Sequence, residues 1–231
     1  MKDIPKKIIL VWIQGIEFVP KYIIKKWKDL NPSFEIVFFD NNEIIKFLNN
    51  NYSKCIVDFY KNLKFHRYKC DFFRYCYLYL NGGYYFDIDT EPINSIETVI
   101  DDIKSNTILI TTLSGEFKGH IAQGILISEK KNPIIEKCID TMIHFGYNIG
   151  IDPKDEYPYF GHPTKCMYDI ILKYTNNNTL KEGNIKYNES NILLGTELYN
   201  KDNRIFTRIN NKKFGYSRYS NYTRENGFII T

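Results

Sequence analysis

No stretch of the 231-residue sequence offers the roughly 20 consecutive apolar residues that a helical membrane span needs. Cysteine is sparse as well: there are five, an odd number with no Cys-x-x-Cys pair, which fits reduced thiols in a cytosol-like compartment. The opening MKDIPKKIILVWIQG is basic, but its apolar run is short and no small-residue cleavage site follows. It reads as a first strand, not a signal peptide. The sequence therefore predicts a cytoplasmic protein. At 43% hydrophobic content and this length it can bury one good core, and two independent domains would be cramped. The net charge of +4 is uneven: residues 201–231 carry +5 and the rest −1. A basic tail with interleaved tyrosines is one route to a polyanion surface, but this one is short and the rest of the chain is not basic.

What the sequence does hold is concentrated between His66 and Glu91. From Arg67 to Leu80 there is no Gly or Pro, and Asp71, Arg74 and Leu78 recur at i, i+3 and i+7, which places them on one helix face. Asn81-Gly82-Gly83 supplies the left-handed residues that stop a helix. Tyr84–Asp89 then reads as a strand. A period of two puts Tyr85, Asp87 and Asp89 on one side and Tyr84, Phe86 and Ile88 on the other. Two carboxylates where an apolar strand ends call for positive charge between them. A magnesium or manganese ion meets that need, because hard cations take carboxylate oxygens and share their remaining positions with water and phosphates. An Arg and an Asp on the preceding helix would add a phosphate clamp and either a contact behind the metal ligands or one to a ribose.

The run Lys69-x-Asp71-x-x-Arg74-Tyr75-x-x-Leu78-x-x-x-Gly82-Gly83-x-Tyr85-x-Asp87-x-Asp89 resembles the sugar-binding Asp-x-Asp region of glycosyltransferase family 32. That group includes yeast mannosyltransferases, capsular polysaccharide sugar transferases and, more distantly, the glucosylating domains of large clostridial toxins. The resemblance implies an α/β fold of the GT-A type with a mostly parallel central sheet. It also implies a nucleotide-sugar donor, a manganese or magnesium ion, a glycan or other hydroxyl acceptor, and retention of anomeric configuration. Under it, Asp89 with help from Asp87 holds the metal, Arg74 holds the sugar or phosphate, and Asp71 orients sugar hydroxyls. Tyr85 packs beneath the donor, and Trp12 becomes the plate under the nucleobase.

The rest of the chain agrees with an α/β sheet. Ile8–Ile13 is continuously apolar, as buried parallel strands are, and Ile4-Pro5-Lys6-Lys7-Ile8-Ile9-Leu10-Val11-Trp12 matches the family's opening, with Leu10 where a His is common. Pro20–Leu30 predicts a helix with Tyr22, Ile23 and Trp27 toward the sheet. Phe34–Phe39 is a second strand, Asp40 caps a helix through Leu48, Asn49–Asn51 reads as a surface turn, and Ser53–Lys64 as a further helix. The β-α-β-α-α-β order places ligands at the carboxyl ends of the strands, where Trp12, Asp87 and Asp89 all fall.

Beyond the two acids come a short helical segment at Ile96–Ile103 and strands at Thr107–Thr112 and Ile121–Ser128, with the loop Ser114–His120 between them. A helix from Pro133 to about Phe145 follows. His120 and Gln123 are candidates for sugar hydroxyls, and His162, in Gly161-His162-Pro163, for an acceptor hydroxyl. A helix at Lys165–Tyr174 and short strands at Ile185–Tyr187, Ile192–Leu194 and Ile205–Ile209 complete the reading. The chain reads as one domain over 1–231. Residues 1–112 form its nucleotide-sugar and metal half, and residues 113–231 its acceptor side and closing segment. Within it the run Asn210–Asn226 departs from the family, having no His or Trp; Lys212, Lys213, Arg218, Ser220 and Asn221 are its polar candidates.

Two other readings compete. Phe86-Asp87-Ile88-Asp89-Thr90 also resembles the opening of haloacid-dehalogenase-type phosphohydrolases, yet several elements precede it here and no Gly-Asp-x-x-x-Asp follows. An intact fold that binds nucleotide-sugar without transferring it is the other; a nucleic-acid partner is not expected.

Overall fold

The strand Lys7–Val11 (β1) begins a computed structural model that describes residues 4–19, 21–63, 66–101, 103–144 and 163–217. The first half runs α1 (Lys21–Leu30), β2 (Glu35–Phe39), α2 (Asn41–Asn51), α3 (Lys54–Asn62), α4 (His66–Asn81), β3 (Gly83–Asp87) and β4 (Glu91–Pro92). Then come α5 (Ile96–Ile100), β5 (Thr107–Leu113), β6 (Ile121–Ser128), α6 (Pro133–His144) and α7 (Pro163–Thr175). The last four strands are β7 (Gly183–Tyr187), β8 (Ser190–Tyr199), β9 (Ile205–Ile209) and β10 (Lys212–Tyr216). Among the described residues no helix is long and apolar enough to cross a membrane.

The strands join in one sheet in the order β2-β1-β3-β6-β5-β8-β9-β10-β4, with β7 on β8. The pairs β2–β1, β1–β3 and β5–β8 are parallel. Antiparallel β6 is inserted between β3 and β5, and β8, β9 and β10 continue as an antiparallel run. The α/β class thus holds in a mixed sheet, with parallel pairs along β2-β1-β3 and again at β5–β8.

Alternation along the strands feeds two cores, one on each face of the sheet. Ile9, Val11 and Tyr85 point to the face covered by α2, α3, α4, α6 and α7. Ile8, Leu10, Tyr84 and Phe86 point to the other, which α1, α5 and the β9–β10 hairpin cover. On that second face Trp27 stacks on Phe86 at 4.4 Å between centroids, and Phe86 on Phe214 at 5.2 Å. The stack joins α1, β3 and β10, and the Trp27 indole N–H donates to the Thr90 carbonyl at 3.2 Å.

Local signals explain most boundaries. Asp40 caps α2 in a reciprocal box with Glu43, each side chain accepting from the other's backbone N–H. Helix α4 ends where Gly82, at φ 66°, donates its N–H back to the Leu78 carbonyl across 2.8 Å. Two expectations need correcting. Tyr22 faces solvent, not the sheet, because only Ile23 and Trp27 of α1 fall on its buried stripe. Asn49–Asn51 is the last turn of α2, held in part by the Asn51 side-chain amide donating to the Phe47 carbonyl at 2.8 Å.

Candidate active site

Three elements meet behind the carboxyl end of β3. Val11 pairs with Asp87 across the parallel β1–β3 ladder, so Trp12 follows directly at the same edge of the sheet. Antiparallel β6 holds β3 as far as Phe86 opposite Ile125, then loses register with β5 between Ile110 and Thr112. That irregularity sets Gln123 and Gly124 beside Asp87, a placing typical of bulges near functional sites. Helix α4 lies across this point and sends Asp71 and Arg74 inward.

Arg74 is the hub. Its guanidinium is buried, with a side chain only 5% exposed, and its Nη2 reaches Asp71 Oδ1 at 2.6 Å and Asp87 Oδ1 at 3.3 Å. Its Nη1 donates to the Gln123 carbonyl at 2.5 Å. The same group lies 4.5 Å from the centroid of the Tyr85 ring, a cation–π contact. The Tyr85 hydroxyl then donates to Asp87 Oδ1 at 2.9 Å. One oxygen of Asp87 is therefore held from two sides.

Burial works against the charged Arg74, but Tyr85, Asp87 and Asp71 outweigh it and keep its pKa above the ordinary value. Asp71 goes the other way: burial lifts its carboxyl to about 6, and the nearby Asp87 charge adds to the rise. Arg74 opposes that shift without cancelling it. Burial likewise pushes the Tyr85 hydroxyl far above its usual range, so at neutral pH it is a donor.

In front of this cluster opens a cavity of about 570 Å³, whose wall includes Asp87, Asp89, Thr90, Gln123 and Gly124. Strand β3 stops at Asp87 and a turn closed by the Thr90 N–H to the Asp87 carbonyl at 2.9 Å carries Asp89, so Asp89 follows the turn and not the strand alternation. Both acids nevertheless face the same space. Asp71 and Arg74 sit behind Asp87, and neither they nor Tyr85 nor Trp12 is part of that wall. Gly124 keeps the approach to Asp87 open: a Cβ there would come within 3.1 Å of Asp87 Oδ2.

The loop candidates fare differently. His120 shares a hydrogen bond between Nδ1 and Thr164 Oγ1 at 2.8 Å, and burial lowers its pKa. Gln123 is buried; its amide donates to the Pro163 carbonyl at 2.7 Å, while its Oε1 has no partner among the described residues. His162, Arg218, Ser220 and Asn221 lie outside the described residues. Lys212 pairs with Asp101 at 2.5 Å, and Lys213 stands 4.4 Å over the Tyr216 ring. The remaining wall comes from places the sequence did not flag, among them Thr112, Phe117, Glu197 and Thr207. Only the glycines bounding the loop at 115 and 119 hinted at it. Among the described residues no group of three or more His, Cys, Asp or Glu is gathered as a metal cage.

Residues 19–109, which contain all of α4, β3 and the two acids, match the glycosyltransferase sugar-binding region containing the DXD motif. Over those residues the chain is similar to that family. It is 29% identical over 209 residues to an uncharacterized glycosyltransferase, L373, of Acanthamoeba polyphaga mimivirus, covering 88% of this chain and 78% of that one. An initiation-specific alpha-1,6-mannosyltransferase of Candida albicans is 30% identical over 108 residues, which is 44% of this chain and 28% of the relative. Among solved structures the PaToxG glycosyltransferase shares the fold, with a TM-score of 0.52 at 14% identity over 74% of this chain and 69% of that one.

Proposed function

We propose that this glycosyltransferase moves a sugar from a nucleotide-sugar donor, with a UDP or GDP carrier, to a hydroxyl acceptor, and does so with a divalent cation and with retention. The observation that carries the reading is the pairing of a cavity bearing Asp87 and Asp89 with the Arg74-centred cluster that fixes Asp87 from behind. Two carboxylates on an open wall suit Mn²⁺ or Mg²⁺, which is bound through one or two protein carboxylates and completes its shell with phosphate oxygens and water. The open space at Gly124 beside Asp87 Oδ2 supports that fit. When bound, such an ion compensates the charge that grows on the departing diphosphate.

The chain's own residues do the remaining work. Asp89 offers its carboxylate to the cation, and Asp87 contributes Oδ2 while its Oδ1 stays engaged by Arg74 and Tyr85. Arg74 keeps Asp87 oriented and sets a fixed positive charge behind the diphosphate. Asp71, still 13% exposed, takes sugar hydroxyls, and Trp12 at the edge of the sheet stacks on the base. Such preorganised charge lowers a barrier because it does not have to reorganise when the bond breaks.

The test is thermal unfolding of the full chain against a panel of UDP- and GDP-sugars, with and without Mn²⁺. A ligand at a hundred times its Kd adds roughly 2.7 kcal/mol of stability, easily seen as a rise in Tm. We expect a manganese-dependent rise with one donor, lost in Asp89→Ala. Donor consumption then separates a transferase from an inert binder, and no shift with any donor would remove the reading.

A further inference from the structure

The loop between β5 and β6, residues 114–120, makes a second wall of the cavity through Ser114, Glu116, Phe117, Lys118 and His120. It is fixed at several points. Inside the loop, Ser114 Oγ accepts from the Glu116 and Phe117 N–H groups at 3.3 and 3.2 Å, and the Ser114 N–H closes it onto the His120 carbonyl at 3.0 Å. The Gly115 N–H donates to Glu197 Oε2 at 3.3 Å, and Ser217 Oγ donates to Glu197 Oε1 at 2.8 Å. One carboxylate on β8 therefore grips both the loop and the residue after β10. The loop also touches β8 backbone to backbone there: a Cβ at Gly115 would fall 2.7 Å from the Glu197 carbonyl oxygen. At the far end, the His120–Thr164 hydrogen bond anchors the loop to α7.

On this frame Phe117 lines the cavity yet leaves 51% of its surface exposed. Isolated exposed aromatics are ordinary on a protein surface. This one differs in being carried by a braced loop, on the wall of the cavity that holds Asp87 and Asp89, between the polar neighbours Glu116 and Lys118. We propose that Phe117 is the platform on which the pyranoside ring of the acceptor stacks, and that Glu197 is the positioning residue that holds the platform in place. A pyranose presents a face of C–H groups polarised by its oxygens, which suits the negative face of an aromatic ring. Its rim of hydroxyls then meets polar side chains, the arrangement of an apolar patch with a few placed polar groups. The inference rests on the transferase reading above and adds the acceptor's chemical class and the residue that receives it.

The experiment uses the full chain with the donor found in the thermal panel. Donor consumption is followed with methyl glycosides of glucose, mannose, galactose and N-acetylglucosamine as acceptors. At least one should accelerate consumption. Phe117→Ala should raise the KM for that glycoside by about tenfold, Phe117→Tyr should restore it, and the donor's own Tm rise should persist in both. Glu197→Gln should raise the same KM by a smaller factor with a smaller change in kcat, a split that general loss of structure would not give. If no nucleotide-sugar binds, the transferase reading fails and this one with it. If the donor turns over but no glycoside accelerates it, or Phe117→Ala leaves the KM unmoved, only the platform is overturned.

Discussion

The Tyr85 hydroxyl donates to Asp87 Oδ1 across 2.9 Å from a ring that lies 4.5 Å under the Arg74 guanidinium. One side chain thus orients the acid and supports the cation that neutralises it. Tyr85→Phe separates the two roles, since the ring stays and the hydroxyl goes. The loss should be about 1 kcal/mol of stability, the usual net worth of one hydrogen bond, read by urea unfolding. Tyr85→Leu also removes the ring and should cost clearly more.

Removing Arg74 is the severe change. Arg74→Ala leaves Asp71 and Asp87 facing each other without the guanidinium between them and the Gln123 carbonyl without its donor. Breaking a buried pair in this way costs roughly 3–5 kcal/mol. Arg74→Lys keeps the charge but cannot span three partners with one ammonium, so it should fall between. Tm and urea midpoints for the two variants check the order.

The acid at 71 makes stability depend on pH in an unusual direction. Its carboxyl titrates at about 6 when folded against 3.8 unfolded, so the folded chain holds the proton longer. Its contribution is full below pH 3.8 and is lost as pH rises through 6, by roughly 2–3 kcal/mol. Glu91 and Glu97 have lowered values and lose stability as pH falls. The difference between wild type and Asp71→Asn, measured by urea unfolding from pH 4 to 7, isolates the Asp71 part. It should change between pH 4 and 6 and be flat above.

Trp12 can be tested without disturbing the fold. Its indole N–H is buried with no partner among the described residues, so Trp12→Phe removes no hydrogen bond and keeps an aromatic face. Donor affinity should change only a few-fold in Trp12→Phe, while Trp12→Ala should lose on the order of 1–3 kcal/mol, the worth of a base stack. Titration calorimetry with the preferred nucleotide decides.

Gly124→Ala places a methyl 3.1 Å from Asp87 Oδ2. Stability should hold within about 1 kcal/mol, while the Mn²⁺ concentration needed for the donor's Tm rise should increase several-fold. A manganese titration by thermal shift reads it.

How much of this could be read beforehand divides by range. Helix α4, its glycine stop, strand β3 and the Asp40 cap are local matters, written in spacing and turn chemistry, and the structure keeps them within a residue or two. The placing of Asp87 and Asp89 at one edge of the sheet, where both line the same cavity, was legible too, because parallel order brings strand ends together. The insertion of β6 between β3 and β5 was not, since an apolar run such as Ile125-Leu126-Ile127 carries no mark of strand direction. Glu197 and Thr207 were hidden because β8 reaches the cavity by pairing with β5, far away in sequence, and β9 follows β8 as a hairpin. Tyr22 was misjudged because its helical phase, not its apolar character, decides where it faces.

The segment just past the two acids is moored to both ends of the chain. Glu91, whose side chain is only 13% exposed, binds Lys26 at 2.7 Å and Arg204 at 2.9 Å. Glu91 and Pro92 pair with Tyr216 and Gly215, and Phe86 packs against both Trp27 and Phe214. A fragment carrying only the conspicuous motif, cut before Arg204, would leave Phe86 without its Phe214 contact and Glu91 without its arginine. For anyone shuffling segments among relatives of this chain, the hairpin that ends at Tyr216 and the strand that carries Asp87 form one structural unit.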